Sequence, residues 1–168
     1  GCEAIQVVQE AKGSTYRGNL NLPSAWDTSL SVNMMGAFSD MSELTNFTFT
    51  GFCTADAINV SYLFQDDVKL ETVTLKPTTR TEVDDEGLPT IVPVKPGVAQ
   101  DMRYMFGGCP SIRNLDLTGI GTSGVYGTFS SYGPSESYMT GMFDNHDSEG
   151  NAIANSNVVS INGKAADG

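Results

Sequence analysis

Histidine and cysteine, which often serve as catalytic base and nucleophile, are scarce in this sequence. His146 is the only histidine, and the cysteines are Cys2, Cys53 and Cys109. A Cys/His or Ser/His/Asp mechanism needs a histidine, and the pair Cys109 and His146 has no local signature around it. No Cys-x-x-Cys pair is present, so the cysteines predict no metal site. We interpret Cys53 and Cys109 as small buried thiols.

Carboxylates are the other groups that could do chemistry, and they cluster in the segment 144–151, Asp-Asn-His-Asp-Ser-Glu-Gly-Asn. A calcium loop also gathers oxygen ligands around a glycine, but these acids do not have EF-hand spacing and no bidentate glutamate follows. We predict a solvated acidic turn without a metal. Carboxylate pairs for glycoside hydrolysis remain a less favoured alternative, because the fold sets their separation. The sequence therefore predicts no enzyme and no cofactor.

Charge and length restrict the class of protein. The chain has 168 residues, enough for one domain, and a formal net charge of −11. Nucleic acids and anionic membrane surfaces attract positively charged proteins, so neither is an expected partner. No run approaches the roughly 18 apolar residues of a transmembrane helix. We expect a globular monomer.

Four phenylalanines, Phe38, Phe64, Phe106 and Phe143, mark copies of one repeated pattern, and we predict that they are buried in one column. The first three are preceded by apolar residues at positions −4 and −1 and followed by apolar residues at +6, +9 and +11; the fourth is preceded by Met139 and Met142. These residues are Met34, Ala37, Leu44, Phe47 and Phe49 in the first copy, Val60, Leu63, Leu70, Val73 and Leu75 in the second, and Met102, Met105, Ile112, Leu115 and Leu117 in the third. The intervals between the phenylalanines are unequal, and we assign the excess to insertions at 77–96 and 121–137. The first insertion has the composition of a loop or hairpin.

Each copy combines two periodicities. Apolar residues at −4, −1 and 0 predict a helical turn, whereas those at +9 and +11 alternate as in a strand with one buried face. The sequence thus predicts an α/β solenoid with about four to five repeats of roughly 26 residues, each a short helix, turn and strand. The single domain would span 1–168, with a degenerate capping repeat at 1–22 and a degenerate C-terminal repeat at 144–168.

The segment Met102–Leu117 resembles the BspA-like leucine-rich repeats of bacterial surface proteins. Their consensus joins a Met-x-x-Met-Phe helix, a Gly-Cys turn and a Leu-x-x-Leu-Asp-Leu strand, and its Phe-Asp-Thr-Ser corner is similar to 26–29 and 120–123 here. The resemblance covers roughly 20–162. It implies that the α/β solenoid is leucine-rich-repeat-like. It also implies an extracellular, cell-surface protein that adheres to a protein or glycan of a host or neighbouring cell. The alternative is a structural spacer in a larger surface protein. The Gly1-Cys2 start also makes Cys2 a candidate lipid anchor of a bacterial lipoprotein.

Two sets of residues are candidates for binding. Strand side chains alternate, so positions +8, +10 and +12 should point outward and stack into polar ladders. The ladder candidates are Asn46, Thr48, Thr74, Asn114 and Asp116; the insertion at 121–137 adds Tyr126, Phe129 and Tyr132. Each set has a plain alternative, since exposed strands simply prefer threonine and the loop aromatics could cover the end of the core.

Overall fold

The computed structural model describes residues 18–22, 33–52, 58–97, 99–121, 141–144, 151, 158, 160–161 and 164–165. Ten strands occur in this part of the chain. They are β1 (Gly18–Leu22), β2 (Leu44–Phe49), β3 (Ile58–Asn59), β4 (Thr72–Leu75), β5 (Thr79–Val83), β6 (Pro89–Pro93), β7 (Ala99–Asp101), β8 (Asn114–Asp116), β9 (Ser160–Ile161) and β10 (Lys164–Ala165). None of the described residues forms a helix long and apolar enough to cross a membrane.

The main sheet has six strands in the order β1-β2-β4-β8-β9-β10. Neighbours are parallel from β1 to β9, and β10 is antiparallel to β9. Leu20, Phe47, Val73 and Leu115 lie in register across four strands. The last three of these side chains are buried and Leu20 packs against the same core. The predicted alternation of inward +9 and +11 positions with outward polar positions is confirmed.

The phenylalanines that define the repeat form a stack through the core. Ring centroids are 5.4 Å apart for Phe38 and Phe64, 5.5 Å for Phe64 and Phe106, and 5.6 Å for Phe106 and Phe143. The first three rings are fully buried and Phe143 is partly buried. The spacing pattern thus correctly predicted one aromatic column, because each repeat places its phenylalanine over the same point of its neighbour.

The predicted α/β solenoid of leucine-rich-repeat type is wrong. No helix occurs in the described residues, and the strands form both parallel and antiparallel pairs. The segments expected to be helical are chains of turns whose N–H groups bond to the neighbouring repeat. Phe38 N–H donates to the Leu63 carbonyl and Phe64 N–H to the Met105 carbonyl, each at 2.9 Å. An α-helix would instead use these donors within its own segment.

Left-handed backbone conformations explain why these segments cannot be helices. Positive φ angles recur at position −2 (Gly36, Tyr62, Tyr104, Gly141) and at position +2 (Asp40, Asp66, Gly108), with values between 51° and 71°. A right-handed helix cannot contain residues with positive φ. Glycine and aspartate adopt this conformation at the lowest cost. Local bonds close four-residue turns in place of α-helical turns, such as the bond from Ala37 N–H to the Met34 carbonyl at 3.1 Å.

The insertion at 77–96 is an antiparallel hairpin made by β5 and β6. Every residue of 79–91 is exposed. This agrees with a loop or hairpin projecting from the repeats. Of the insertion at 121–137 the structure describes only Gly121. Of the predicted terminal repeats it describes 18–22 at one end and scattered residues from Asp144 to 165 at the other.

Candidate recognition face

The outward side chains of the main sheet form two polar rows. The first row contains Asn19, Asn46, Thr72, Asn114 and Ser160, and the second contains Asn21, Thr48, Thr74 and Asp116; each residue is paired in register with the next. We call these nine residues the polar face. Neighbouring strands lie about 4.8 Å apart, so each row offers a polar group at regular intervals across the sheet.

Hydrogen bonds join side chains at both ends of the first row. Asn46 Nδ2 donates to Asn19 Oδ1 at 2.6 Å, and Ser160 Oγ donates to Asn114 Oδ1 at 3.0 Å. Thr72 lies between these two pairs and is half-buried. The amides are therefore held in fixed orientations, which lowers the entropy that a ligand would have to remove.

One corner of the polar face carries charge. Lys76 Nζ lies 3.4 Å from Asp116 Oδ2, and the Thr118 hydroxyl donates to Asp116 Oδ1 at 2.8 Å. Both members of the ion pair are solvent-accessible, so the pair contributes little to stability. Its effect is to make the polar face locally neutral, because the carboxylate of Asp116 is balanced by an adjacent ammonium.

Five of the eight predicted site residues lie together on this face: Asn46, Thr48, Thr74, Asn114 and Asp116. The other three, Tyr126, Phe129 and Tyr132, lie outside the described residues, as do His146, Cys2 and Cys53. Within the described residues, no group of three or more His, Cys, Asp or Glu side chains is placed to hold a metal ion.

A buried acid is the feature that sequence reasoning missed. Asp67 is fully buried, and its Oδ1 accepts a 2.6 Å hydrogen bond from Met41 N–H, whereas Oδ2 has no hydrogen-bond partner among the described residues. Burial, with a smaller effect from the nearby Asp40 and Asp66 carboxylates, raises its pKa from 3.8 to about 8. Asp67 stands at position +3, where the first and third copies have Met41 and Cys109. An acid at a position that is uncharged in these two copies was the available sequence signal.

Cys109 is buried, as predicted, and lies beside this acid. Its thiol donates to the Phe64 carbonyl at 2.8 Å. Burial, and then the charge of Asp67, raise the pKa of the Cys109 thiol well above its ordinary value. Thiolates are the reactive form of cysteine, so this environment suits a structural thiol and disfavours a nucleophile.

Comparison with known proteins adds no relative. No family model, no curated protein and no solved structure matches the chain.

Proposed function

We propose that this chain is a non-enzymatic recognition module of a bacterial surface and that its polar face binds a neutral glycan. The observation that carries the proposal is the register of the sheet, which aligns Asn, Thr and Ser side chains of five strands in one row. Extended faces built from stacked repeats are common sites of recognition. The bacterial surface setting rests on the sequence resemblance of Met102–Leu117.

The chemistry of the polar face favours a glycan over a protein. Amide and hydroxyl side chains both donate and accept hydrogen bonds, as the hydroxyl groups of a sugar do. Protein interfaces instead favour aromatic and arginine side chains. Neither type occurs among the nine residues of the polar face, and its single carboxylate, Asp116, is paired with Lys76.

A structural spacer is the second candidate, and one observation favours it. The bonds from Asn46 to Asn19 and from Ser160 to Asn114 connect neighbouring strands. The same polar groups could therefore stabilise the sheet of a spacer that has no ligand.

The test begins by screening the labelled chain on an array of neutral glycans, with affinities then measured by isothermal titration calorimetry. Thr48→Ala and Asn114→Ala each remove one polar group from different strands of the face, and each should weaken binding about tenfold, since a lost hydrogen bond costs about 1.4 kcal/mol. Ser42→Ala, at an exposed position before β2, is the control and should bind as the wild type does.

The other results distinguish the alternatives. A chain that binds no glycan and no surface protein would support the spacer. Glycan binding that survives both face substitutions would place the site elsewhere. If the chain binds a surface protein and the face substitutions abolish that binding, the polar face is the site but its ligand is a protein and not a glycan.

A further inference from the structure

The β5–β6 hairpin presents one open strand edge and one blocked edge. Asp84 N–H donates to the Leu88 carbonyl at 3.1 Å, and Val94 N–H donates to the Thr78 carbonyl at 2.8 Å. Hydrogen-bonded and non-bonded pairs alternate in an antiparallel ladder. The pairs Thr79–Pro93, Thr81–Ile91 and Val83–Pro89 are therefore non-bonded pairs, and their backbone groups point away from the hairpin.

This alternation makes the two edges unequal. On β6 two of the three outward positions are Pro89 and Pro93, which have no N–H to donate, and prolines at such positions prevent strand addition. On β5 the outward positions Thr79, Thr81 and Val83 all keep their N–H groups. Within the described residues, β5 pairs with no strand other than β6. The hairpin can therefore accept a further strand only along β5.

We propose that the β5 edges of two copies of this chain pair antiparallel about a two-fold axis at Thr81, forming a four-stranded sheet. Thr79 of each copy then lies opposite Val83 of the other. In this arrangement the three outward pairs exchange main-chain hydrogen bonds, as bonded antiparallel pairs do. The interface is isologous, as in most dimers, because each copy contributes the same strand.

The charges of β5 select this register. Within one chain Arg80 already pairs with Glu82 of its own strand. Centring on Thr81 adds Glu82 of the second copy opposite each Arg80, so charges of opposite sign face each other across the strands, which stabilises a cross-strand pair. Slipping the register by two residues would place either Arg80 opposite Arg80 or Glu82 opposite Glu82, which is unfavourable. After a slip of one residue, residues whose backbone groups point out of the hairpin would lie opposite residues whose groups already bond within it. No ladder of hydrogen bonds could then form.

The ends of the hairpin are also complementary. The turn after β5 carries Asp84, Asp85 and Glu86, all exposed, and Lys95 is exposed at the base of the hairpin. An antiparallel pair directs each acidic turn towards the basic end of the other copy. The two acidic turns are thereby kept apart, so the net charge of −11 per chain opposes the pairing less than it would in a parallel arrangement.

Exposed apolar side chains give a further reason for pairing. Ile91 and Val83 are 73% and 66% exposed. Ile91 lies opposite Thr81 and Val83 lies opposite Pro89, so both side chains are on the same face of the hairpin. A two-stranded hairpin alone is marginally stable, whereas three or more strands with an apolar face are stable. Pairing replaces two isolated hairpins by one four-stranded sheet. The sequence led us to expect a monomer, whereas this pairing makes a dimer. The dimer is weak, because the contact involves only one short strand of each copy.

Sedimentation equilibrium of the full chain, up to about 1 mM, tests the proposal because dissociation constants up to that range are then visible. The wild type should approach twice the mass of one chain. Thr81→Pro removes an outward N–H on the axis and should leave a monomer. Ile91→Pro is the matched control, because Ile91 lies opposite Thr81 on β6, the blocked edge. It also removes an outward N–H and should leave the dimer unchanged. Both should keep the near-ultraviolet circular dichroism of the folded core.

Charge reversal gives an independent readout. Arg80→Glu places glutamates opposite each other and should weaken dimerisation at least tenfold, and adding Glu82→Arg to it should restore the wild-type association. The proposal is overturned by a wild type that stays monomeric at about 1 mM, by a dimer that persists in Thr81→Pro, or by equal loss in Thr81→Pro and Ile91→Pro.

Discussion

The carboxyl of Asp67 accepts a hydrogen bond from the backbone N–H of Met41 at 2.6 Å and so joins the turn segments of adjacent repeats. The side chain is fully buried, and no described residue gives its Oδ2 a hydrogen bond. The neutral form suits such a site, because an isolated buried charge is costly. A buried acid in its neutral form thus connects two repeats next to the phenylalanine stack.

Stability should fall as pH rises from about 4 to about 8. The pKa of Asp67 is about 8 in the folded chain and 3.8 is its ordinary value, so the folded state holds the proton more tightly than the unfolded state. The contribution is complete below pH 3.8, decreases as the unfolded chain ionises, and is lost once pH passes the folded pKa. Chemical denaturation between pH 4 and pH 9 measures this slope.

Asp67→Asn should remove most of that slope and raise the melting temperature at pH 8 by several degrees, because the amide keeps the acceptor for Met41 N–H and cannot ionise. Asp85→Asn is the matched control, since it removes one exposed acid from the hairpin turn. An unchanged pH profile in Asp67→Asn would show that Asp67 is ionised in the folded chain.

Phe106→Ala should lower the free energy of unfolding by about 3–5 kcal/mol, as truncation of a packed aromatic does. Phe106 is fully buried and stacks on both Phe64 and Phe143. Val68→Ala, at an exposed apolar position, should change stability by less than about 0.5 kcal/mol. Equal melting temperatures for the two variants would contradict the phenylalanine stack.

Gly108→Ala should destabilise the fold by more than the cost of placing an alanine in the left-handed conformation. Its φ is +71°, and a methyl group there would lie 3.3 Å from the backbone Cα of Asp66 and in closer conflict with its carboxylate. Gly18→Ala isolates the cost of conformation, about 1–2 kcal/mol, since φ is +86° but nothing lies within 4 Å. Urea unfolding compares the two. A smaller loss at Gly108 would mean that Asp66 moves aside easily.

The repeat pattern predicted the strands correctly, because a strand with one buried face must alternate apolar and polar residues. A residue such as Val73 that alternates with polar neighbours can bury only one face of a strand, so both the inward row and the outward polar face followed from the spacing. The phenylalanine column followed in the same way, because a fixed spacing from each strand sets Phe64 over Phe38.

The turn segments were predicted wrongly because apolar residues at −4, −1 and 0 fit a helical face and a chain of turns equally well. Spacing does not reveal where backbone N–H groups bond. Gly36, Gly108 and Gly141 were the available signal, since glycine recurs at the left-handed positions. Tyr62 and Tyr104 adopt the same conformation without any such signal. Their rings stack 5.4 Å apart, a contact between neighbouring repeats.

Amide chemical-shift mapping shows which residues of the chain contact a bound glycan. The chain is titrated with the neutral glycan selected on the array, and backbone amide shifts are followed by heteronuclear NMR. If the polar face binds the glycan, we expect the largest changes in β2, β4 and β8, around Thr48, Thr74 and Asn114, with none in the β5–β6 hairpin. Changes confined to the turn segments or the hairpin, with the polar face unaffected, would show that the polar face is not the binding site.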